Sequence, residues 1–268
     1  MRATVGTFFV LPMVPWFLGS DRQNGTLYFK LHTLKLVSRW AIAKEHCVKI
    51  NLKIDNVILQ KVKLDCTKYF GIFIDSNLSW ENHIDNIYNK IIKFVGIFYK
   101  IRYKLNFEIS KMIYYAFVHS HLIYGIEIYR NTCTKFLNKL MILNNKILHI
   151  LQHAPLDTPV SQLYATFHSL PLPDLQNLQI LKFVHNFIHH QEKLPCIFSS
   201  YFTQNNVFHR YNIRTKDSLH YEIYRSTLGH RSIRYKGSVL WNSVSDELKD
   251  IVGTSTFINK LKEFLINK

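Results

Sequence analysis

Apolar and polar positions alternate most regularly between Val48 and Ile74. "VKINLKI" alternates, Asp55-Asn56 offers a turn, "VILQKVKL" follows, and "KYFGIFI" makes a third run. This spacing predicts a small antiparallel sheet over about 48–74. Asp75, Ser76 and Asn77 then break the alternation and supply side-chain oxygens suited to capping the next element. From Trp80 the period changes. Trp80, Ile84, Ile87, Ile91, Phe94, Phe98 and Ile101 form one stripe at helical spacing, with Asn82, Asn86, Asn89, Lys93, Lys100 and Lys104 on the opposite face. A second helix is expected from about Glu108 through "KMIYYAFVHSHLIYGIEIY", apolar nearly all round and therefore central. A third covers "KFLNKLMILNNKILHILQ". Pro155, Pro159, Pro171 and Pro173 punctuate a linker with a short helix inside it, and a fourth long helix starts at Asp174. Beyond Pro195 the texture turns polar: "TQNNVFHRYNIRTKDSLH" reads as turns, "IYRSTLGHRSIRY" as a short hairpin, and "GSVLWNSV" and "STFINKLKEFLINK" as closing helices.

The expected fold class is therefore α+β and predominantly helical: a small antiparallel sheet leading into a helical bundle, then a loop-rich C-terminal part. The segments implied are an atypical N-terminal stretch (1–47), a β-hairpin region (48–79), a helical bundle (80–195) and the C-terminal region (196–268).

Composition supports a folded chain, with 47% apolar and 14% aromatic residues in 268. A net charge of +16 points to a polyanionic partner, nucleic acid ahead of an anionic membrane surface. Cys47, Cys66, Cys133 and Cys196 form no C-x-x-C pair, which disfavours a zinc finger or redox dithiol and favours reduced, mostly buried thiols. The opening "MRATVGTFFVLPMVPWFLGSD" has the outline of a signal peptide, and Asn24 and Asn77 head N-x-[ST] sequons. Pro12 and Pro15 interrupt the apolar run, its end lacks an A-x-A-like site, and it is too short to span a membrane. An intracellular address, nuclear or cytoplasmic, is expected over secretion, with no transmembrane helix.

Candidate chemistry is sparse. His149 and His153 sit i,i+4, His119 and His121 flank Ser120, and His189 and His190 adjoin, yet no H-E-x-x-H glutamate is present. These read as packed or surface histidines, so no metal site is expected. A nuclease could be drawn from Asp174 with Glu247 and Lys249 polarising a metal-bound water, but those parts are far apart in sequence. No Gly-rich phosphate loop, nucleophile elbow or small-molecule site is evident. Basic residues near aromatics are the better candidates: Lys93, Lys100 and Lys104 on one helix face; Arg210 and Arg214 with Lys216 near Tyr211; Arg225, Arg231, Arg234 and Lys236 around Tyr224 and Tyr235. Such combinations suit phosphate and base contacts.

"YFGIFIDSNLSWENHI", Tyr69 to Ile84, resembles a segment of non-LTR (LINE-type, jockey-like) retrotransposon reverse transcriptases that follows the catalytic palm, as a primer-facing hairpin entering the thumb. Further similarities come in the family's order: "LIYGIEIY", with Tyr129 where tryptophan is usual; "HRYNIRTKDSLH"; and "SIRYKGSVLWNSV", with Ser238 and Ser245 where proline is usual. The resemblance runs from about Lys49 to Lys268. It implies a palm-end hairpin, a thumb-like bundle and a post-thumb region. It also implies structural roles for Tyr69, Gly71 (close backbone approach), Asp75, Trp80 (anchoring the helix), His83 and Trp241. The family's two magnesium ions are held by an Asp-Asp pair, and this chain has no such pair. The expectation is thus a truncated, catalytically inactive remnant of an RNA-directed DNA polymerase, with no catalytic residue or cofactor, binding RNA or DNA with weak specificity. A domesticated helical protein-interaction module is the rival, and the metal-dependent nuclease a minor alternative.

Overall fold

The computed structural model describes residues 53–54, 57–58, 66–75, 77–155, 157–208, 216 and 218–266. It is α+β and mostly helical, and the chain divides into two units, residues 1–83 and 84–268.

In the first unit, β1 (Lys53–Ile54) pairs antiparallel with β2 (Val57–Ile58), with Lys53 opposite Ile58 and Ile54 opposite Val57; the turn expected at Asp55-Asn56 lies outside the described residues. A second antiparallel pair joins β3 (Cys66–Tyr69) to β4 (Ile72–Asp75), with Tyr69 opposite Ile72 and Cys66 opposite Asp75. "KYFGIFI" is therefore not one strand run. It folds back on itself at Phe70-Gly71, both left-handed (φ 43° and 78°), the backbone of the two-residue hairpin turn whose twist matches the strands. Gly71 meets this demand without strain, whereas Phe70 carries a Cβ into it. Ile72 and Ile74 alternate inward and are buried.

The chain then turns into α1 (Glu81–Ile101) around one carboxylate. Asp75 Oδ1 accepts from the backbone N–H groups of Asn77 (3.0 Å) and Ser79 (2.8 Å), and Oδ2 accepts from Ser79 Oγ (2.7 Å) and Trp80 N–H (3.0 Å). This satisfies backbone donors that otherwise have no partner ahead of a helix. Leu78 and Trp80 both take positive φ (53° and 63°), and Trp80 is only 5% exposed. His83, buried, accepts from Phe73 N–H through Nδ1 at 3.4 Å.

Along α1 the predicted stripe is buried at Ile84, Ile87, Ile91 and Phe98, with Phe94 stacked on Phe98. An Asp85–Lys139 ion pair ties α1 to α5 (Thr134–Leu151). The expected second helix is broken into α2 (Phe107–Tyr114), a π-turn (Tyr115–His119), α3 (Ser120–Ile123) and α4 (Ile126–Tyr129). Asn106 Oδ1 caps α2 by accepting from Ile109 N–H at 2.9 Å. The break falls at Gly125 (φ 70°), where the Tyr129 hydroxyl, fully buried, donates to the Leu122 carbonyl and closes the corner. Nor is this segment buried on all sides: Tyr114, Val118, Leu122 and Ile126 face inward, but Phe107, Ile109, Met112 and Phe117 are exposed.

The short α6 (Val160–Thr166) precedes α7 (Leu172–His189), which is the centre of the second unit. Leu172, Leu175, Leu178, Ile180, Leu181, Phe183 and Val184 are all buried, and α4, α10 (Ile233–Ser243) and α12 (Thr254–Ile266) pack on this helix. Between them come the four-residue helices α8 (Asn205–Phe208), α9 (Thr227–His230) and α11 (Asp246–Lys249). The short hairpin expected over "IYRSTLGHRSIRY" is thus absent. Residues 227–230 and 233–243 are helical, because Ser232 Oγ caps α10 by accepting from Tyr235 N–H and Gly237 presses it onto α7. A Cβ at Gly237 would lie 2.9 Å from the Phe202 ring and 3.0 Å from Val184 Cγ2, so only glycine permits this approach. Trp241 then packs on Phe257 and His185 (ring centroids 5.9 and 6.4 Å). Asn242 donates to the Leu219 carbonyl (2.9 Å) and accepts from its N–H (3.0 Å), as a neighbouring strand would.

The adjacent histidines also have a structural explanation. The Nε2 atoms of His185, His189 and His190 lie 2.6, 2.9 and 2.9 Å from the carbonyls of Ile251, Lys249 and Val252. A carbonyl only accepts, so each imidazole donates from Nε2, and together they clamp the turn before α12 onto α7. Cys133 and Cys196 are exposed, contrary to the expectation of mostly buried thiols, because each sits in a connection outside the packed helices. Among the described residues no helix is long and apolar enough to cross a membrane.

Candidate nucleic-acid interface

Lys93 and Lys100 project from the exposed side of α1, as the stripe on the other side requires. Lys104 does not continue their line. The α-helix ends at Ile101, and Arg102–Lys104 form a tighter 3₁₀ turn that swings Lys104 away from the α-helical register. None of the three lysines is in an ion pair among the described residues.

That turn assembles something the lysine spacing does not announce. The Arg102 guanidinium lies over two tyrosine rings, its Cζ 4.2 Å from the centroid of Tyr99 and 4.5 Å from that of Tyr103. Its Nη2 also donates to the Tyr103 hydroxyl. His153 supports the turn from α5's end: its Nε2 donates to the Arg102 carbonyl (3.1 Å), and its ring lies 5.0 Å from that of Tyr103. Yet both tyrosines remain open to solvent, Tyr99 at 57% and Tyr103 at 74%. Two exposed aromatic faces, ordered by a shared arginine and flanked by Lys100 and Lys104, are suited to stacking on unpaired bases while the ammonium groups meet the backbone. A signal for this was present in "YKIRYK", residues 99–104, where aromatic and basic positions interleave.

The arginine candidates separate. Arg210 and Arg214 lie outside the described residues, as does Tyr211. Arg234 pairs with Glu222 at 2.7 Å and lies 5.8 Å from the Tyr201 ring centroid. The Tyr224 hydroxyl also donates to Glu222, and burial with that carboxylate pushes its pKa up to about 12. Arg234 thus joins half-buried parts of its own fold. Arg231 is exposed and reaches the Asn131 carbonyl at 3.5 Å.

Of the hairpin residues, Tyr69 is half-buried, which raises its pKa, and sets its ring edge-on to Phe70 (4.6 Å). The Asp-Asp pair to which the retrotransposon resemblance assigns two magnesium ions is not in the sequence. Asp75, the carboxylate at the hairpin end, already holds hydrogen bonds on both oxygens. Among the described residues no three His, Cys, Asp or Glu side chains are grouped to hold a metal ion. In the nuclease alternative, Glu247 is exposed on α11 and Lys249 pairs with Asp246 at 2.9 Å. Comparison with protein-family models, with curated proteins and with solved structures gave no match for this chain.

Proposed function

We propose that this chain is a catalytically inactive reverse-transcriptase-like remnant of the non-LTR retrotransposon type that binds RNA or DNA strands with weak sequence specificity. The observation that carries the binding part is the Tyr99–Arg102–Tyr103 stack, exposed and bordered by Lys100 and Lys104. The family part rests on the ordered motifs, for which the fold supplies physical roles: Asp75 organising the helix entry, Gly125 and Tyr129 making a corner, Gly237 and Trp241 docking α10 on α7.

Binding is tested by fluorescence anisotropy on single-stranded RNA and DNA across a salt series. Tyr99→Ala and Tyr103→Ala are each expected to weaken binding by about 5- to 150-fold, the worth of about 1–3 kcal/mol per stacked base. Replacing Lys93, Lys100 and Lys104 together by alanine should make the log–log salt slope shallower by about 2 units on single strands. Since these side chains are exposed, circular dichroism should not change. A folded lysine variant with an unaltered slope retires this face.

No templated DNA synthesis is expected with magnesium or manganese, because the family's two-metal nucleotidyl transfer needs an Asp-Asp pair that the sequence lacks. Extension of a primer on an RNA template by the purified chain would overturn the inactive reading. The rival, a protein-interaction module, is favoured by the exposed Phe107, Ile109, Met112 and Phe117. It stands if neither RNA nor DNA binds.

A further inference from the structure

Away from the α1 face, three cations gather where the end of α4 meets α7 and α10. Lys236 Nζ donates to Asn131 Oδ1 (3.0 Å) and reaches Gln176 Oε1 at 3.5 Å; Gln176 in turn donates to Asn131 Oδ1 at 2.9 Å. Arg231 contacts the carbonyl of the same Asn131. Arg130, the residue before Asn131 in the chain, has a buried Nε with no hydrogen-bond partner among the described residues. The bonds made by Lys236 and Arg231 thus go to neutral amide oxygens. Among the described residues, the Asp174 carboxylate in the first turn of α7 acts on Arg130. Tyr129, the other titratable neighbour of Arg130, stays neutral because burial raises its pKa.

Such a set is costly to hold together. Burial, then the charges of Arg130 and Arg231, lower the Lys236 ammonium to a pKa of about 8. Like charges are brought together in this way where an anion recovers the cost, and guanidinium forks with an ammonium match a tetrahedral oxyanion.

We propose that Arg130, Arg231 and Lys236 form a site for a phosphoryl oxyanion, whether free inorganic phosphate or a phosphate of a nucleic-acid strand. The site does not depend on the strand-binding face of α1, since an inorganic ion is enough to fill it. An occupying anion favours the charged lysine, so affinity falls as pH rises through the Lys236 titration.

The experiment follows the Lys236 side chain by NMR in the full-length chain as pH is raised, with millimolar sulfate against chloride at equal ionic strength. Sulfate is the first probe because it does not itself titrate in this range, and phosphate follows. Each should move the Lys236 titration up by about one unit, a tenfold coupling. Arg231→Gln should abolish the shift. Displacement of sulfate by an oligonucleotide carrying a 5′-phosphate, but not by its unphosphorylated twin, assigns the site to strand ends. Displacement by both assigns it to internal phosphates, and displacement by neither to the free ion. No sulfate-dependent movement of Lys236 overturns the proposal, as does a full shift surviving in Arg231→Gln. Because the primary reading uses the unaltered chain, a variant that fails to fold leaves the test intact.

Discussion

Trp80→Ala is expected to cost about 3–5 kcal/mol of stability, the loss typical of removing a large, buried aromatic ring. Trp80 is 5% exposed at the entry to α1, and its N–H is held by the Asp75 carboxylate. Its φ of 63° makes a second substitution informative. In the middle of a helix or strand glycine would be worse than alanine, because it loses more backbone entropy. Here alanine keeps a Cβ in the left-handed region and glycine does not. Trp80→Gly should therefore be no less stable than Trp80→Ala, and better by up to about 1 kcal/mol. Urea unfolding of the three proteins measures both effects. A loss well under 1 kcal/mol for Trp80→Ala would mean that the ring carries little of the junction, and alanine clearly outranking glycine would mean that the backbone there is not left-handed.

Glu127→Gln is expected to stabilise the chain at alkaline pH. Glu127, in α4, is 7% exposed, and burial pushes its carboxyl up to about 7 against the opposing pulls of its own backbone N–H and Lys182. Its folded pKa lies above the unfolded value, so its contribution to stability is complete below about pH 4.5 and is lost as pH climbs to about 7. The span corresponds to about 3 kcal/mol. Glutamine resembles the neutral acid at every pH. The variant and the parent should therefore be nearly equal at pH 4 and separate through neutrality, with the variant ahead by about 2–3 kcal/mol at pH 8. Parallel stability–pH curves would show that Glu127 is solvated in the native protein.

The helices announced themselves wherever burial follows a simple period. Ile84, Ile87, Ile91 and Phe98 mark α1 because one face meets the interior, and the prolines between Pro155 and Pro173 bracket α6 because proline cannot continue a preceding helix. The hairpin turn was concealed because Phe70 is not a turn residue. The strands on either side impose its left-handed backbone, and only Gly71 hints at it. "IYRSTLGHRSIRY" has the composition of a strand. What makes its end helical is Gly237 meeting Val184 and Phe202, a contact between segments distant in sequence.

The site divides in the same way. Lys93 and Lys100 were legible as a solvent face. The ordering of Tyr99 and Tyr103 by Arg102 was not, since it arises where α1 tightens into a 3₁₀ turn braced by His153. Lys236 gave no sign of burial, because Asn131 and Gln176, which hold it, come 105 and 60 residues earlier.

The placement of α7 has a consequence for how the chain is made. Its apolar surface is covered partly by α10 and α12, which begin only at Ile233 and Thr254. At about 5–20 residues per second of synthesis, α7 waits for several seconds before its last neighbour emerges. Until α10 and α12 emerge, His185 has no Trp241 or Phe257 to rest against, and Val184 no Gly237. A ribosome-bound chain stopped short of α12 would present this uncovered surface to chaperones.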